Sequence, residues 1–409
     1  MSLNRRITAA AALVLAVVAT VVALTMTAPK AAETAAPTRG TVALDTESTT
    51  TSLAVAPTTT PPPASASARG QRRATVADGR FHVRGRDVTG PAGSVVTLRG
   101  VSKSGLEYSV DGYDVSQATF DRMRSWGANV VRVALSDRFA LPEMCNFDAS
   151  YLSTIDEIVS YGEQLKMLIV LDDHFATRGL ACGRGAWSAN QKAPDEFNLA
   201  FVKMLGLRYK DRPYVAIDLY NEPHDINWET WQHGGNIDDA YTAVGMQDLL
   251  DGVRSTGFNG LVFATGPQWG NDLRSIATEP LRNDADVVYG AHEYPYTCGT
   301  TTVPQSEPYE CNGHQYPGFL DNQIAPAIAT RAVMLTEFGT QRPSDGEMRA
   351  PIQWAEDHHI GWIAWLWCSG DTTNYCLLTP DHTNTPSVIG KPVQDFLFKA
   401  NGWTTLNGR

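Results

Sequence analysis

Eight short apolar runs, separated by longer amphipathic stretches, restrict the folds open to this chain more than any other feature of its sequence. Apolar runs of this length predict buried strands, and the stretches between them have helical periodicity. Strands that alternate with helices indicate a parallel sheet, and eight such units indicate an α/β fold closed into a (β/α)8 TIM barrel. The predicted strands are Val96–Val101, Asn129–Leu135, Met167–Asp172, Val215–Tyr220, Leu261–Thr265, Val287–Ala291, Ala332–Thr336 and Trp362–Trp367.

Helices are predicted between most of these strands and after the last one, and a short β-hairpin is predicted before the first, in RFHVRGRDVTGPAGSVVTLRG. The predicted helices are Ser116–Trp126, Ser150–Leu165, Pro194–Tyr209, Ile237–Thr256, Glu347–His359 and Lys391–Ala400. Long irregular stretches follow strands two, three, four and six, on the face where such barrels carry their active sites. These stretches are Ser136–Asp148, Asp173–Ala193, His224–Asn236 and Glu293–Gly318.

The first 75 residues differ in composition from the rest of the chain. Arg5 and Arg6 precede an apolar stretch at residues 7–26, which is long enough for a signal peptide or for a membrane span. Both interpretations imply export, and both stay open. Residues 31–75 are rich in Ala, Thr, Pro and Ser and predict a disordered linker. We therefore expect a signal peptide or anchor at residues 1–30, this linker, and a barrel domain at residues 76–409.

The net charge of −11 argues against nucleic acid and other polyanions as ligands. A neutral ligand fits better. The ten tryptophans and fourteen tyrosines suit a neutral sugar polymer, whose C–H faces stack on aromatic rings, although most aromatic residues belong to cores. We expect no cofactor.

The six cysteines of an exported chain are expected to pair as disulfides. Sequence proximity favours Cys298 with Cys311 and Cys368 with Cys376, which leaves Cys145 with Cys182, although other pairings are possible. A zinc site is less favoured, because the chain has no Cys-x-x-Cys pair and no histidine cluster to supply tetrahedral ligands. We expect no bound metal.

Two predicted strands end in a glutamate, Glu222 in VAIDLYNEPH and Glu337 in AVMLTEFGT. A buried glutamate is rare unless it is paired or functional, because desolvating an unpaired ion costs on the order of several kcal/mol. One such residue alone is more often a surface residue. Two of them at one edge of a barrel are what glycosidic-bond hydrolysis requires, an acid to protonate the leaving oxygen and a carboxylate to face the anomeric carbon.

Residues at the ends of six predicted strands together resemble glycoside hydrolase family 5, the cellulase family of retaining barrel glycosidases, over about residues 78 to 400. Alone, Arg132 could form a structural ion pair, His174 could bind a metal and Trp365 could be core. Eight matches in chain order favour the family. The matching segments are Asn221-Glu222-Pro223, Glu337-Phe338-Gly339, Arg132 in NVVRVAL, His174 in LIVLDDHF, His292 and Tyr294 in GAHEYPY, and Trp365 in GWIAWLW.

The resemblance implies a double displacement in which Glu337 is the nucleophile and Glu222 acts first as acid and then as base. Glu222 must then be protonated near neutral pH, so we expect burial and its negative neighbour to raise its pKa from about 4.3 toward about 6 or 7. Glu337 must stay ionised, and Arg132 with the Tyr294 hydroxyl would lower its pKa. The two carboxyl groups should lie about 5 to 5.5 Å apart.

The resemblance also assigns the substrate contacts. Asn221 would hydrogen-bond the sugar 2-hydroxyl, Trp365 would form a floor under the sugar ring, and His174 and His292 would bind hydroxyls or orient the glutamates. Four further tryptophans lie on predicted loops and could serve as sugar platforms or as packing, namely Trp187, Trp228, Trp231 and Trp269.

The favoured function is that of an exported, secreted or surface-anchored, monomeric retaining β-glycanase, with endo-β-1,4-glucanase ahead of the other substrates. Mannanase, β-1,3-glucanase and glycolipid hydrolase activities stay open, because they share the same strand-end residues. A non-enzymatic alternative is a sugar-binding cell-wall protein on a barrel scaffold, although such proteins usually lose one of the two carboxylates.

Overall fold

The eight predicted strands form a closed barrel in which every neighbouring pair is parallel. The computed structural model describes residues 78–175, 191–294, 310–311, 314–315, 318–371, 374–381 and 385–402. The strands follow one another around the barrel in chain order, and the fifth and sixth pair in the same way as the others. Numbered within the barrel, they are β1 Arg99–Lys103, β2 Val130–Ser136, β3 Leu168–Phe175, β4 Val215–Asp218, β5 Val262–Thr265, β6 Val287–Glu293, β7 Val333–Phe338 and β8 Gly361–Ala364.

Helices connect most successive strands of the barrel. The predicted hairpin precedes the barrel, with His82–Arg84 antiparallel to Asp87–Thr89. Two further short antiparallel pairs lie in the loops, Gly234–Ile237 with Tyr241–Val244 and Glu310–Cys311 with His314–Gln315. The α-helices are α1 Gln117–Trp126, α2 Asp137–Ala140, α3 Tyr151–Leu165, α4 Glu196–Tyr209, α5 Trp228–His233, α6 Met246–Ser255, α7 Gly318–Gln323, α8 Ala325–Ile328, α9 Asp345–Asp357 and α10 Gly390–Ala400, and a 3₁₀ turn spans Arg274–Ala277.

The strands bury both faces, so alternate residues point to two separate apolar cores. Val131 and Ile169 belong to the large core between strands and helices. Val130, Val170 and Phe263 belong to a smaller core inside the barrel. Two residues further along β2, β3 and β4, the interior residues are Arg132, Asp172 and Asp218, which places buried polar groups just beneath the carboxyl ends of these strands.

One predicted helix was wrong at its start. The pattern placed a helix over Ile237–Thr256, whereas α6 begins only at Met246. The preceding residues form the hairpin around Asp238 and Asp239, whose φ angles of 49° and 56° are left-handed, as in a tight hairpin turn. Turn chemistry therefore overrides the helical pattern there.

Two of the stretches predicted to be irregular contain short helices. Helix α2 lies within Ser136–Asp148, and α5 lies within His224–Asn236. The Asn227 side chain accepts a hydrogen bond from the Thr230 amide, which caps the start of α5. Helices of four and six residues are too short for periodicity to reveal them.

The disulfide between Cys368 and Cys376 is confirmed. Cys145 is also disulfide-bonded, but its predicted partner Cys182 lies outside the described residues. Cys298 lies outside them as well, so both remaining pairings stay predictions.

The predicted signal peptide or anchor and the predicted linker also lie outside the described part of the chain. Within that part, none of the helices combines the length and the apolar character needed to cross a membrane.

Candidate active site

The two predicted catalytic glutamates converge at the carboxyl end of the barrel. Glu337 lies near the end of β7, and Glu222 lies four residues beyond the end of β4. One carboxylate oxygen of each glutamate and one ring nitrogen of His292 all lie within 4.8 Å of one another. Retaining glycosidases place their carboxyl groups about 5 to 5.5 Å apart and inverting enzymes about 6.5 to 9.5 Å apart. The spacing therefore fits the retaining geometry.

Glu222 has surroundings that favour the protonated form. Its side chain is only 15% exposed, and burial raises its pKa to about 7. Of the two causes expected from the sequence, only burial contributes to this rise, because the charged groups that act on Glu222 are His174 and Arg132, which lower its pKa. A carboxyl group with this pKa is suited to donate a proton near neutral pH.

His292 contacts the carboxyl group of Glu222 directly. Its Nδ1 atom lies 2.9 Å from Glu222 Oε1, and burial lowers the pKa of His292 to about 3. The ring is therefore neutral at physiological pH. The loop after β5 presses against it, since Gly270 has a φ of 74° and a Cβ there would lie 2.9 Å from the His292 backbone nitrogen. Only glycine fits this close approach without strain.

Glu337 accepts hydrogen bonds at both of its carboxylate oxygens. Arg132 Nη1 donates to Glu337 Oε2 over 2.9 Å, and the buried Tyr294 hydroxyl donates to Glu337 Oε1. Each carboxylate oxygen therefore has one donor, Arg132 from β2 and Tyr294 from the residue after β6. The resemblance to glycoside hydrolase family 5 implied these two contacts, and the structure contains both of them.

Arg132 is fully buried and uses its guanidinium group to connect four side chains. Nε donates to Asp218 Oδ2 over 3.0 Å, and Nη2 donates to Asn221 Oδ1 over 2.8 Å. Nη2 also lies 2.9 Å from Asp172 Oδ1. Burial alone would lower the pKa of Arg132, but its carboxylate neighbours Asp172, Asp218 and Glu337 raise it overall. The guanidinium group is therefore charged and held from several sides.

His174 and Trp365 lie beside this network. His174 Nδ1 is 2.7 Å from Asp172 Oδ2, and the His174 ring stacks parallel to Trp365 with 5.1 Å between ring centroids. Burial lowers the pKa of His174. Trp365 is half-buried, so part of its side chain is accessible to solvent.

The alternative in which His174 binds a metal finds no support in the described residues. There, the one group of His, Cys, Asp and Glu side chains close enough to share an ion consists of Glu222, His292 and Glu337. His174 is not part of it. An ion held by those three residues would occupy the two carboxyl groups that glycosidic chemistry needs.

Sequence reasoning missed the two aspartates that flank Arg132. Asp172 and Asp218 are fully buried, and burial raises the pKa of each to about 7, although Arg132 lowers it. A signal was available in the strand period. Asp218 lies two residues after Ala216, which faces the barrel interior, so an acidic residue there must point toward the buried Arg132.

Of the loop tryptophans that the structure describes, two pack against each other and one is exposed. Trp231 is 1% exposed and its indole nitrogen donates to the Thr265 carbonyl, so it belongs to the core. Trp228 stacks on it. Trp269 is 38% exposed and stacks on His224, which contacts the Glu222 carbonyl oxygen through Nδ1. Trp187 lies outside the described residues.

The chain is similar in sequence to known polysaccharide-degrading enzymes. The family model described as cellulase, glycosyl hydrolase family 5, matches residues 89–371, which is more than half of the 409-residue chain. A mannan endo-1,4-beta-mannosidase from Salipaludibacillus agaradhaerens is 24% identical over 305 residues, which cover 72% of this chain and 83% of that protein. An endoglucanase from Clostridium saccharobutylicum is 22% identical over 75% of this chain and 60% of its own length.

Among solved structures, a β-glucanase from Saccharophagus degradans in complex with cellotetraose superposes with a TM-score of 0.61. The match covers 78% of this chain and 93% of that chain, at 18% identity. At this level of identity the likeness bears on the fold, and it agrees with the closed barrel described above.

Proposed function

Because the chain belongs to glycosyl hydrolase family 5, we propose that it is a retaining endo-β-glycanase in which Glu337 is the nucleophile and Glu222 the acid/base. The observation that carries this proposal is the close approach of the two carboxyl groups in opposite surroundings. Glu222 is buried with a pKa raised to about 7. Glu337 receives hydrogen bonds from Arg132 and Tyr294. One group is therefore prepared to give a proton and the other to carry a charge.

In the first step, Glu337 Oε attacks the anomeric carbon while Glu222 gives its proton to the glycosidic oxygen. The bond to the leaving sugar breaks, and a glycosyl ester forms on Glu337 with inverted configuration. The leaving sugar departs as an alcohol, so Glu222 ends the step ionised. Arg132 and Tyr294 keep Glu337 in position for this attack.

In the second step, the ionised Glu222 takes a proton from water as the water oxygen attacks the anomeric carbon. The ester bond breaks, Glu337 regains its negative charge, and the product keeps the original configuration. The cycle restores both carboxyl groups to their starting protonation states.

The orientation of Asn221 suits a contact with the sugar 2-hydroxyl. Because its Oδ1 accepts from Arg132 Nη2, its Nδ2 is left to donate toward the sugar, and this contact would strengthen in the oxocarbenium-like transition state. We assign the sugar platform to Trp365. His174, fixed by Asp172, would bind a hydroxyl group through Nε2, and His292 would orient Glu222.

For the substrate, we favour a β-1,4-glucan, with a β-1,4-mannan as the second candidate. The names of the relatives include an endoglucanase and a mannan endo-1,4-beta-mannosidase, and the similar solved structure holds cellotetraose. The exposed Trp269 beside the acid/base loop would suit a sugar on the leaving-group side.

A mechanism-based 2-fluoro-cellobioside with a good leaving group tests the proposal. We expect covalent labelling of Glu337 with a one-to-one stoichiometry, and no labelling in a Glu337→Gln control. Hydrolysis rates on cellulosic, mannan and β-1,3-glucan polymers would then rank the substrates. Sugar binding without labelling or turnover on any of these polymers would support the sugar-binding alternative and refute the enzyme.

We also propose that the protein is exported and monomeric. The apolar stretch at residues 7–26 and the Cys368–Cys376 disulfide support export, because disulfides persist in oxidising compartments. Cell fractionation followed by light scattering of the purified protein tests both points. Recovery in the cytoplasm, or a dimer in solution, would contradict them.

A further inference from the structure

Asp218 is buried beneath the catalytic centre and takes no part in the proposed chemistry. Its Oδ2 accepts from Arg132 Nε over 3.0 Å, whereas its Oδ1 has no hydrogen-bond partner. The side chain is 0% exposed. Burying an acidic group costs free energy unless its polar atoms are paired. A buried aspartate with a single hydrogen bond therefore requires an explanation.

Arg132 connects the nucleophile to the residue that faces the sugar 2-hydroxyl. Nη1 holds Glu337, and Nη2 holds the amide oxygen of Asn221. The planar guanidinium group turns as one unit. Any rotation that follows a change at Glu337 therefore moves the donor that fixes Asn221.

The two chemical steps place different demands on this arginine. Before the first step Glu337 is a carboxylate and contributes one of the three ion pairs of Arg132. In the glycosyl ester Glu337 is neutral, so this ion pair is lost. Asp172 and Asp218 then hold the guanidinium group, and Asp218 is the partner at Nε.

We propose that Asp218 is a positioning residue for the second step, which keeps Arg132, and through it Asn221, in place while Glu337 is esterified. This inference rests on the function proposed above. Asp172 contributes to the same arrangement, but it also contacts His174, so its replacement would change two contacts at once. Asp218 offers the cleaner test because Arg132 is its one hydrogen-bonded partner among the described residues.

The test compares Asp218→Asn with the wild type on dinitrophenyl β-cellobioside. Its leaving group needs no proton, so hydrolysis of the glycosyl ester limits kcat, while kcat/KM reports ester formation. Replacing the residues that orient metal ligands typically costs about 10- to 100-fold in affinity or activity, and we take the same order of magnitude for a residue that orients Arg132. We expect kcat to fall at least about tenfold and kcat/KM by less than about threefold, so that KM falls with kcat.

Glu356→Gln is the matched control. Glu356 holds Arg99 through two contacts of 2.6 and 2.7 Å at the start of β1, the opposite end of the barrel. This variant also removes a carboxylate from an arginine, and the introduced glutamine keeps a side-chain oxygen that can accept from the Trp362 indole nitrogen, as Glu356 does over 2.8 Å. We expect both kinetic parameters to stay within about twofold of wild type, because surface and half-buried ion pairs away from the site contribute little.

Equal losses in kcat and kcat/KM for Asp218→Asn would overturn the inference and leave a structural role. A wild-type protein that does not turn over the substrate would instead refute the proposed function, so the two failures are distinguishable. If the variant does not fold, a crystal structure of the wild-type 2-fluoro-glycosyl ester decides. The inference predicts that the Arg132–Asp218 and Arg132–Asn221 contacts persist in the ester, and their loss would overturn it.

Discussion

The two ends of the barrel interior differ in polarity, although only two residues separate an apolar side chain from a charged one on β2 and β3. On β2 the interior side chain changes from Val130 to Arg132, and on β3 it changes from Val170 to Asp172. The amino-terminal end is an apolar core that stabilises the fold through burial. The carboxyl end buries charges, which stabilise little and serve the chemistry. One continuous strand therefore carries stability at its start and function at its end.

The largest expected effect concerns activity at the carboxyl end. Glu222→Gln keeps the size of the side chain but cannot donate the proton that the leaving sugar needs. We expect turnover of a natural β-glycan to fall by about 10²- to 10⁴-fold. For dinitrophenyl β-cellobioside, kcat/KM should change far less, because that leaving group needs no proton. Near-normal rates on the natural polymer would refute the role given to Glu222.

A substitution at the apolar end should have the opposite profile. Met334 lies in the interior core of β7 and is 1% exposed, three residues before Glu337. We expect Met334→Ala to lower the free energy of unfolding by about 2 to 5 kcal/mol through lost burial and a residual cavity. Denaturant unfolding measures this loss, and kcat/KM of the folded protein should be unchanged. A large kinetic defect in the folded variant would show that the two ends are not separate.

The pH dependence of stability sharpens the comparison. Burial raises the pKa of Glu222 to about 7 from the ordinary glutamate value of 4.5. Between those values the folded protein holds a proton that the unfolded chain has released. The contribution of Glu222 to the free energy of unfolding is therefore fully present below about pH 4.5 and is lost as the pH rises through about 7.

Glu222→Gln removes this titration. We expect the variant to match the wild type in stability near pH 4.5 and to exceed it by about 3 kcal/mol at pH 8. Denaturant unfolding at both pH values measures the difference. A gap that does not change with pH would show that Glu222 has an ordinary pKa in the folded protein.

The raised pKa of Glu222 also determines how kcat/KM depends on pH, which is the smallest of the expected effects. Glu222 must be protonated in the free enzyme, so kcat/KM on a natural glycan should fall about tenfold for each pH unit above about 7. The pH profile measured with dinitrophenyl β-cellobioside should lack this basic limb. A plateau that extends to pH 9 on the natural glycan would contradict the assignment.

Much of the fold could be predicted because the barrel strands are buried on both faces and appear as continuous apolar runs. All eight runs became strands, with ends displaced by a few residues. The start of α6 could not be predicted from periodicity, because the left-handed turn at Asp238 and Asp239 decides it. The predicted contacts of Arg132 and Tyr294 with Glu337 are present, whereas the catalytic roles stay proposals.

The surroundings of the site were harder to predict. The rise in the pKa of Glu222 comes from burial by side chains that are distant in sequence, and no local pattern encodes that burial. Asp218 was missed although its position in the strand period indicated that it faces the barrel interior. Its role depends on the contact with Arg132, and that contact is known only from the structure.

The stereochemistry of hydrolysis tests the central claim most directly, namely that Glu222 and Glu337 act as a retaining pair. Proton NMR of the reducing sugar released in the first minutes from a β-linked oligosaccharide distinguishes the two anomers before they equilibrate. Because the two carboxyl groups approach within 4.8 Å, the account predicts that the β-anomer appears first. Initial release of the α-anomer would contradict it.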